Sequence, residues 1–215
     1  MKPKTVNVLF IGNSFTQRND VPGLLAELAA ARGISVDHDL ISVGGASLRT
    51  HWNGGRATEA IASGNYDFVV LQEQSTLPVK NAARMPENVR LFEEAIRQSG
   101  AKTVLYMTWA RKHSPESQAV IAEAYSSIGK ELGAVIVPVG LVWERFLAEH
   151  NVPVLHDRDQ SHPTPAGSYL AACVFLSTLL KANPVGVESG PAGLDEAERK
   201  SLQTAAWKGR NLVAR

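Results

Sequence analysis

The chain is poor in the features that mark out whole classes of protein. Cys173 is the one cysteine in 215 residues, so no internal disulfide can form. It sits in an apolar helical pattern with Tyr169, Ala172, Leu176 and Leu180, the setting of a buried, inert thiol rather than a redox centre. Charge of one sign is lacking too: 22 basic residues meet 21 acidic ones for a formal net of +1, and no basic block exceeds two residues. Neither nucleic acid nor an anionic membrane surface is therefore expected as a partner. No apolar run approaches the roughly 20 residues that span a bilayer, and MKPKTVNVLFIG enters a strand without the apolar core of a signal peptide. These absences lead us to expect a soluble, cytoplasmic chain. The nucleotide-binding patterns GxGxxG and GxxxxGK[ST] are missing, as is the GxSxG elbow of the α/β-hydrolases.

What is present is enough apolar material, 44%, to bury a sizeable core in one domain spanning 1–215. Strand-length apolar runs fall at Val6–Ile11, Ser35–Ser42, Phe68–Gln72, Thr103–Trp109 and Val135–Val139. The first and third are nearly continuous in apolar residues, which implies burial on both faces, as in a parallel sheet. Between them the period changes to that of helices, over Pro22–Arg32, Leu48–Ser63, Glu87–Ser99 and Glu116–Leu132, followed by Gly33, Gly64, Gly100 and Gly133. A final helix is expected over about Asp195–Val213. The series predicts a three-layer α/β/α sandwich around a five-stranded parallel sheet, with right-handed crossovers and ligands at the carboxyl ends of the strands.

Polar clusters fall directly after those strand ends: Asn13-Ser14, Gly44-Gly45-Ala46-Ser47, Gln72-Glu73-Gln74-Ser75 and Trp109-Ala-Arg-Lys-His113. A fifth, His156-Asp-Arg-Asp-Gln-Ser-His162, follows the last strand and a short helix. Taken alone, Ser14 reads as a turn residue or helix cap. Asp159-Gln-Ser-His162 changes that reading, because a histidine accepts a proton from serine only when something holds its tautomer and stabilises the imidazolium. Three residues of separation let the Asp159 carboxylate fold back onto Nδ1. Pro163 favours an extended His162, and Thr164-Pro165 reads as a helix cap and first helical position.

GNSF at Gly12–Phe15, the glycine turn after the second strand, and Asp159-x-x-His162 before a core helix resemble the blocks of the SGNH (GDSL-like) hydrolases. VLFIGNSFT, GGASL, VVLQEQS and SHPTPAGSYLAA are similar to one branch of that superfamily, and the resemblance runs from about Val6 to Phe175. It implies a flavodoxin-like sandwich and hydrolysis of esters, often acetyl or other short acyl groups, with no cofactor or metal. It also implies Ser14 as nucleophile, His162 as general base and acid, and Asp159 as the residue that orients it. Two departures stand out: Asn13 replaces the usual aspartate, and the usual glycine, variable residue and asparagine of the third block read Gln72-Glu73-Gln74. Asparagine makes the same side-chain turn. For the oxyanion, the N–H groups of Ser14 and Gly45 and the amide of Gln72 are the expected donors, with Gln74 on the same side as Gln72 and not separable from it by sequence. Glu73 then points away, toward a structural role such as pairing with an arginine. Trp109, Arg111 and His113, with Trp52 and Asn53, are candidate substrate contacts alongside Gln74. A metal at His156, Asp157, Asp159 and His162 matches no zinc spacing and would leave Ser14 unexplained. The substrate expected is a small-molecule or carbohydrate ester; a binding module that keeps the pocket without turnover, and an acyltransferase using the same three residues, remain as alternatives.

Overall fold

The computed structural model describes residues 5–213. Among them five strands form one sheet: β1 (Val6–Gly12), β2 (Val36–Ser42), β3 (Phe68–Leu71), β4 (Lys102–Tyr106) and β5 (Val135–Val137). All neighbours pair in parallel, in the order β2-β1-β3-β4-β5. The chain therefore winds to one side of β1 and then returns to the other, which opens a crevice at the carboxyl ends of β1 and its neighbours.

The described helices are α1 (Ser14–Gln17), α2 (Val21–Ala30), α3 (Leu48–Gly54), α4 (Arg56–Ser63), α5 (Leu77–Lys80), α6 (Arg84–Ser99), α7 (Ser117–Leu132), α8 (Val139–Glu149), α9 (Pro165–Leu179) and α10 (Glu196–Gly209). Alternation along β1 divides the core. Val8 and Phe10 join a cluster with side chains of α2, α8, α9 and α10, whereas Leu9 and Ile11 join one with α3, α4, α6 and α7. Both faces of β1 are thus covered, which is why its sequence is an unbroken apolar run. The three-layer sandwich and its five-stranded parallel sheet agree with the expectation from sequence.

Several boundaries differ, each for a local reason. The single helix expected over Leu48–Ser63 is two, because Gly55 adopts a left-handed φ of 76° and both ends α3 and begins α4. The fifth strand stops at Val137, since Pro138 has no N–H to continue a ladder and instead precedes α8. The fourth ends at Tyr106 rather than Trp109; Met107 O accepts from Gly140 N–H at 3.0 Å, turning the chain toward the start of α8. The one-turn helices α1 and α5 are too short to show a period.

α9 is buried along its whole length from Ala166 to Leu179, with no polar face. It holds Cys173, whose thiol is fully enclosed and pushed up in pKa by burial. Its entrance is held by Thr164, whose hydroxyl accepts from Gly167 N–H at 3.2 Å and donates to Val154 O at 2.6 Å, with Pro165 at the first helical position. Among the described residues no helix is long and apolar enough to cross a membrane. Replacing Thr164 by alanine is expected to cost about 1–2 kcal/mol in urea denaturation, and replacement by serine clearly less, because serine keeps the capping oxygen.

Candidate active site

β1 delivers Ser14 to the crevice through a tight, hydrogen-bonded turn. Asn13 caps α1: its Oδ1 accepts from Phe15 N–H at 3.1 Å, and its Nδ2 donates to Ala46 O at 3.0 Å. The second bond gives a physical reason for asparagine here, because an ionised aspartate has no donor for that carbonyl. Gln72, at the end of β3, is wholly buried; its Oε1 accepts from Asn13 N–H at 2.9 Å and from the Thr16 hydroxyl at 3.1 Å, and its Nε2 donates to Glu73 O at 2.5 Å. From the other layer His51, on α3, donates Nε2–H to Gly12 O at 2.7 Å.

Residues 155–164 form a narrow loop that carries the second half of the site. Asp157 N–H donates to His162 O at 2.8 Å and Thr164 N–H to Leu155 O at 2.9 Å, with Gln160 in the left-handed region (φ 60°) at the tip. That tight tip lets Asp159 reach back: Oδ1 accepts from Ser161 N–H at 3.0 Å and His162 N–H at 2.9 Å, and Oδ2 lies 2.5 Å from His162 Nδ1. Partial burial pushes the Asp159 carboxyl up, but these bonds and the facing imidazole outweigh it and hold the carboxyl well below the usual carboxylate range. A carboxylate on Nδ1 makes that nitrogen the donor, so in the neutral imidazole Nε2 carries the lone pair. The Ser14 hydroxyl, 148 positions away in sequence, lies 2.8 Å from it.

Two ties bind this loop, and a third binds the first turn of α9, to the corner between α1 and α2. Arg18 pairs with Asp157 at 3.1 Å and lies 4.0 Å from Asp159; Asn19 Nδ2 donates to Pro163 O at 3.3 Å; Ser168 Oγ donates to Arg18 O at 3.2 Å. An aromatic column backs the imidazole. Trp143 stacks on Trp109 with centroids 4.0 Å apart, Trp109 on Phe15 at 4.8 Å, and Phe15 meets the His162 ring edge-on at 5.4 Å.

This column corrects the expectation that Trp109 contacts substrate. Only 1% of it is exposed, and its Nε1–H donates to Ser161 O at 3.0 Å, so it supports the histidine loop from beneath. Trp52, half-buried, packs edge-on against Phe92 of α6 at 5.3 Å. His156 is committed to Ala110 O at 3.0 Å and packs on Trp143. Arg111 is half-buried beside this loop, and His113 and Asn53 are exposed. Among the described residues no three His, Cys, Asp or Glu side chains gather as a metal-ligand set.

The donors divide in the same way. Ser14 N–H, at the start of α1, and Gly45 N–H have no acceptor among the described residues. Gly45 is exposed, with φ 69° and open space where a Cβ would stand. The choice of Gln72 as third donor is overturned: its amide is enclosed and both of its ends are used. Gln74 differs. Its Oε1 accepts from Thr76 N–H at 2.9 Å and from the Thr76 hydroxyl at 3.0 Å, which leaves Nε2 without a partner among the described residues.

No family model and no curated protein matches the chain. Solved structures do. A protein of Slackia heliotrinireducens described as an SGNH hydrolase is 30% identical, with a TM-score of 0.72 over 82% of this chain and 100% of its own. The chain belongs to the SGNH hydrolases. A DUF4886 family protein from Bacteroides uniformis is 24% identical over 96% of this chain and 95% of its own, TM-score 0.81. The acetyl xylan esterase AlAXEase, 17% identical over 80% of this chain and 98% of its own with a TM-score of 0.64, shares the fold.

Sequence reading missed His51, Arg18 and the aromatic column. A histidine three places after Leu48 on the buried side of a helix was a usable signal; nothing in sequence joins Arg18 to Asp157. Burial lowers the pKa of both His51 and His156, against a hydrogen bond that raises each. The unfolded chain therefore takes up protons at these positions more readily than the fold does. Their contribution to stability is present above the ordinary histidine pKa of about 6.5 and is lost as pH falls below it. Urea midpoints are expected to drop between pH 7.5 and 5.5, and to drop less in His156→Gln.

Proposed function

We propose that this SGNH hydrolase is a serine ester hydrolase for short-chain acyl esters, acetyl foremost, with acylated carbohydrates among its substrates. The observation that carries the reading is the unbroken relay of two hydrogen bonds, Asp159 Oδ2 to His162 Nδ1 and His162 Nε2 to Ser14 Oγ, at an accessible edge of the sheet. In this reading Ser14 Oγ attacks the ester carbonyl carbon while Nε2 takes its proton, and Asp159 stabilises the imidazolium. The tetrahedral oxyanion is met by Ser14 N–H, Gly45 N–H and Gln74 Nε2, each donor contributing about 3–4 kcal/mol to the transition state. Collapse breaks the bond to the alcohol, which leaves with the proton from His162. Water then repeats the sequence on the acyl-serine, releasing the acid and restoring the hydroxyl. The acetyl xylan esterase among the neighbours guides the choice of acetylated sugars as test substrates and carries no further weight.

Ser14→Ala is expected to fold as wild type and to lose p-nitrophenyl acetate turnover by about three orders of magnitude or more. A fluorophosphonate probe should label the wild type at Ser14. Folded wild type that resists the probe and leaves the ester intact would refute the reading in favour of a binding module. The two glutamines separate by a different measurement. Gln74→Ala is expected to lower kcat about 10²–10³-fold with an unchanged melting temperature. Gln72→Ala is expected to lose about 1–3 kcal/mol of stability, because Asn13 N–H is left buried and unpaired.

A further inference from the structure

Glu73 lies between those glutamines and is 1% exposed. A carboxylate so enclosed is costly unless several donors satisfy it, and three do. Oε1 accepts from Leu48 N–H at 3.0 Å and from Gln74 N–H at 2.7 Å, and Oε2 accepts from Asn88 Nδ2 at 2.8 Å. Asn88 Oδ1 accepts in turn from Arg49 Nε at 3.1 Å, which fixes the orientation of that amide. The arginine partner foreseen for Glu73 is therefore reached through Asn88. Burial raises the pKa of the carboxyl against the pull of these bonds.

The two backbone groups on Oε1 belong to different loops. Leu48 opens α3 three residues after Gly45, and Gln74 carries the amide whose Nε2 is unengaged. A single oxygen thus spans the segments that bear two of the three oxyanion donors. Donors act on a transition state only when held within a few tenths of an ångström of their place.

We infer that Glu73 is a positioning residue for the oxyanion hole: by gripping Leu48 N–H and Gln74 N–H together, its carboxylate sets the spacing between the Gly45 and Gln74 donors. The assignment rests on the esterase reading above. Enclosed as it is, Glu73 works through its neighbours and does not touch substrate.

Glu73→Gln keeps the shape but turns one acceptor into an NH₂, which must face either Asn88 Nδ2 or the paired backbone N–H groups. It is expected to lower kcat for p-nitrophenyl acetate roughly 10–100-fold while KM stays within about twofold. In a Gln74→Ala background the same change should cost about threefold or less, since the donor it places is already gone. Adding Asn88→Asp supplies an acceptor to both the new amide and Arg49, and should return kcat to within about threefold of wild type. Unchanged kcat, or a loss of full size in the Gln74→Ala background, overturns the assignment. Should Glu73→Gln fail to fold, Asn88→Ala carries the same comparison, with a loss of roughly 3–10-fold that vanishes without Gln74. A wild type that is inert to ester and probe alike refutes the esterase reading instead. The grip itself is then read by amide exchange, which Glu73→Gln should accelerate about tenfold or more at Leu48 and Gln74, and equal exchange rates would refute it.

Discussion

A polar side chain sealed from water must find its partners inside the protein, and at the carboxyl edge of this sheet that requirement organises the loops. Gln72 and Glu73 leave β3 as consecutive residues and serve opposite sides of the sheet, as strand alternation dictates. Gln72 gathers Asn13 N–H and the Thr16 hydroxyl; Glu73 gathers Leu48 N–H, Gln74 N–H and the Asn88 amide. Asn13 then joins the two systems through Ala46 O. Each partner left unmade in such a setting costs about 1–3 kcal/mol, so the turn at Ser14 and the loop at Gly45 are held more firmly than surface loops usually are.

The histidine half is held by other means. Asp159 and Arg18 are each 44% exposed, and an ion pair at such a surface contributes about 1 kcal/mol or less. The firmer support lies beneath it, where Trp143, Trp109 and Phe15 stack toward the imidazole and Trp109 Nε1 anchors Ser161 O. One wall of the crevice is thus set by enclosed hydrogen bonds and the other by aromatic packing.

That division also explains what could be read from sequence. Continuous apolar strands and glycine-terminated helices report on burial averaged over many residues, and they led to the right sandwich. The Asp159-x-x-His162 spacing is a local geometry, legible because three residues of loop admit few ways to close. Side-chain direction at a strand end is not local in this sense. Whether Gln72 or Gln74 faces the crevice depends on where β3 stops, and it stops at Leu71, one residue short of the expected end. Trp109 was misread for a related reason: it follows a strand end, where rim residues are found, yet the chain dives beneath the histidine loop at that point. The pairing of Arg18 with Asp157 spans 139 positions and leaves no trace in either segment.

α9 begins three residues after His162 and is wrapped by protein on all sides. A change in the backbone at its entrance would have to be absorbed by the packing of α2, α10 and the sheet, which have no slack to give. By contrast, Val43, Gly44 and Gly45 stand in solvent, with Val43 52% exposed and nothing packed over either glycine. The two banks of the crevice therefore differ in tolerance: a bulkier side chain at Val43 or Gly44 would meet only solvent, whereas one at the entrance of α9 would be passed on to the core.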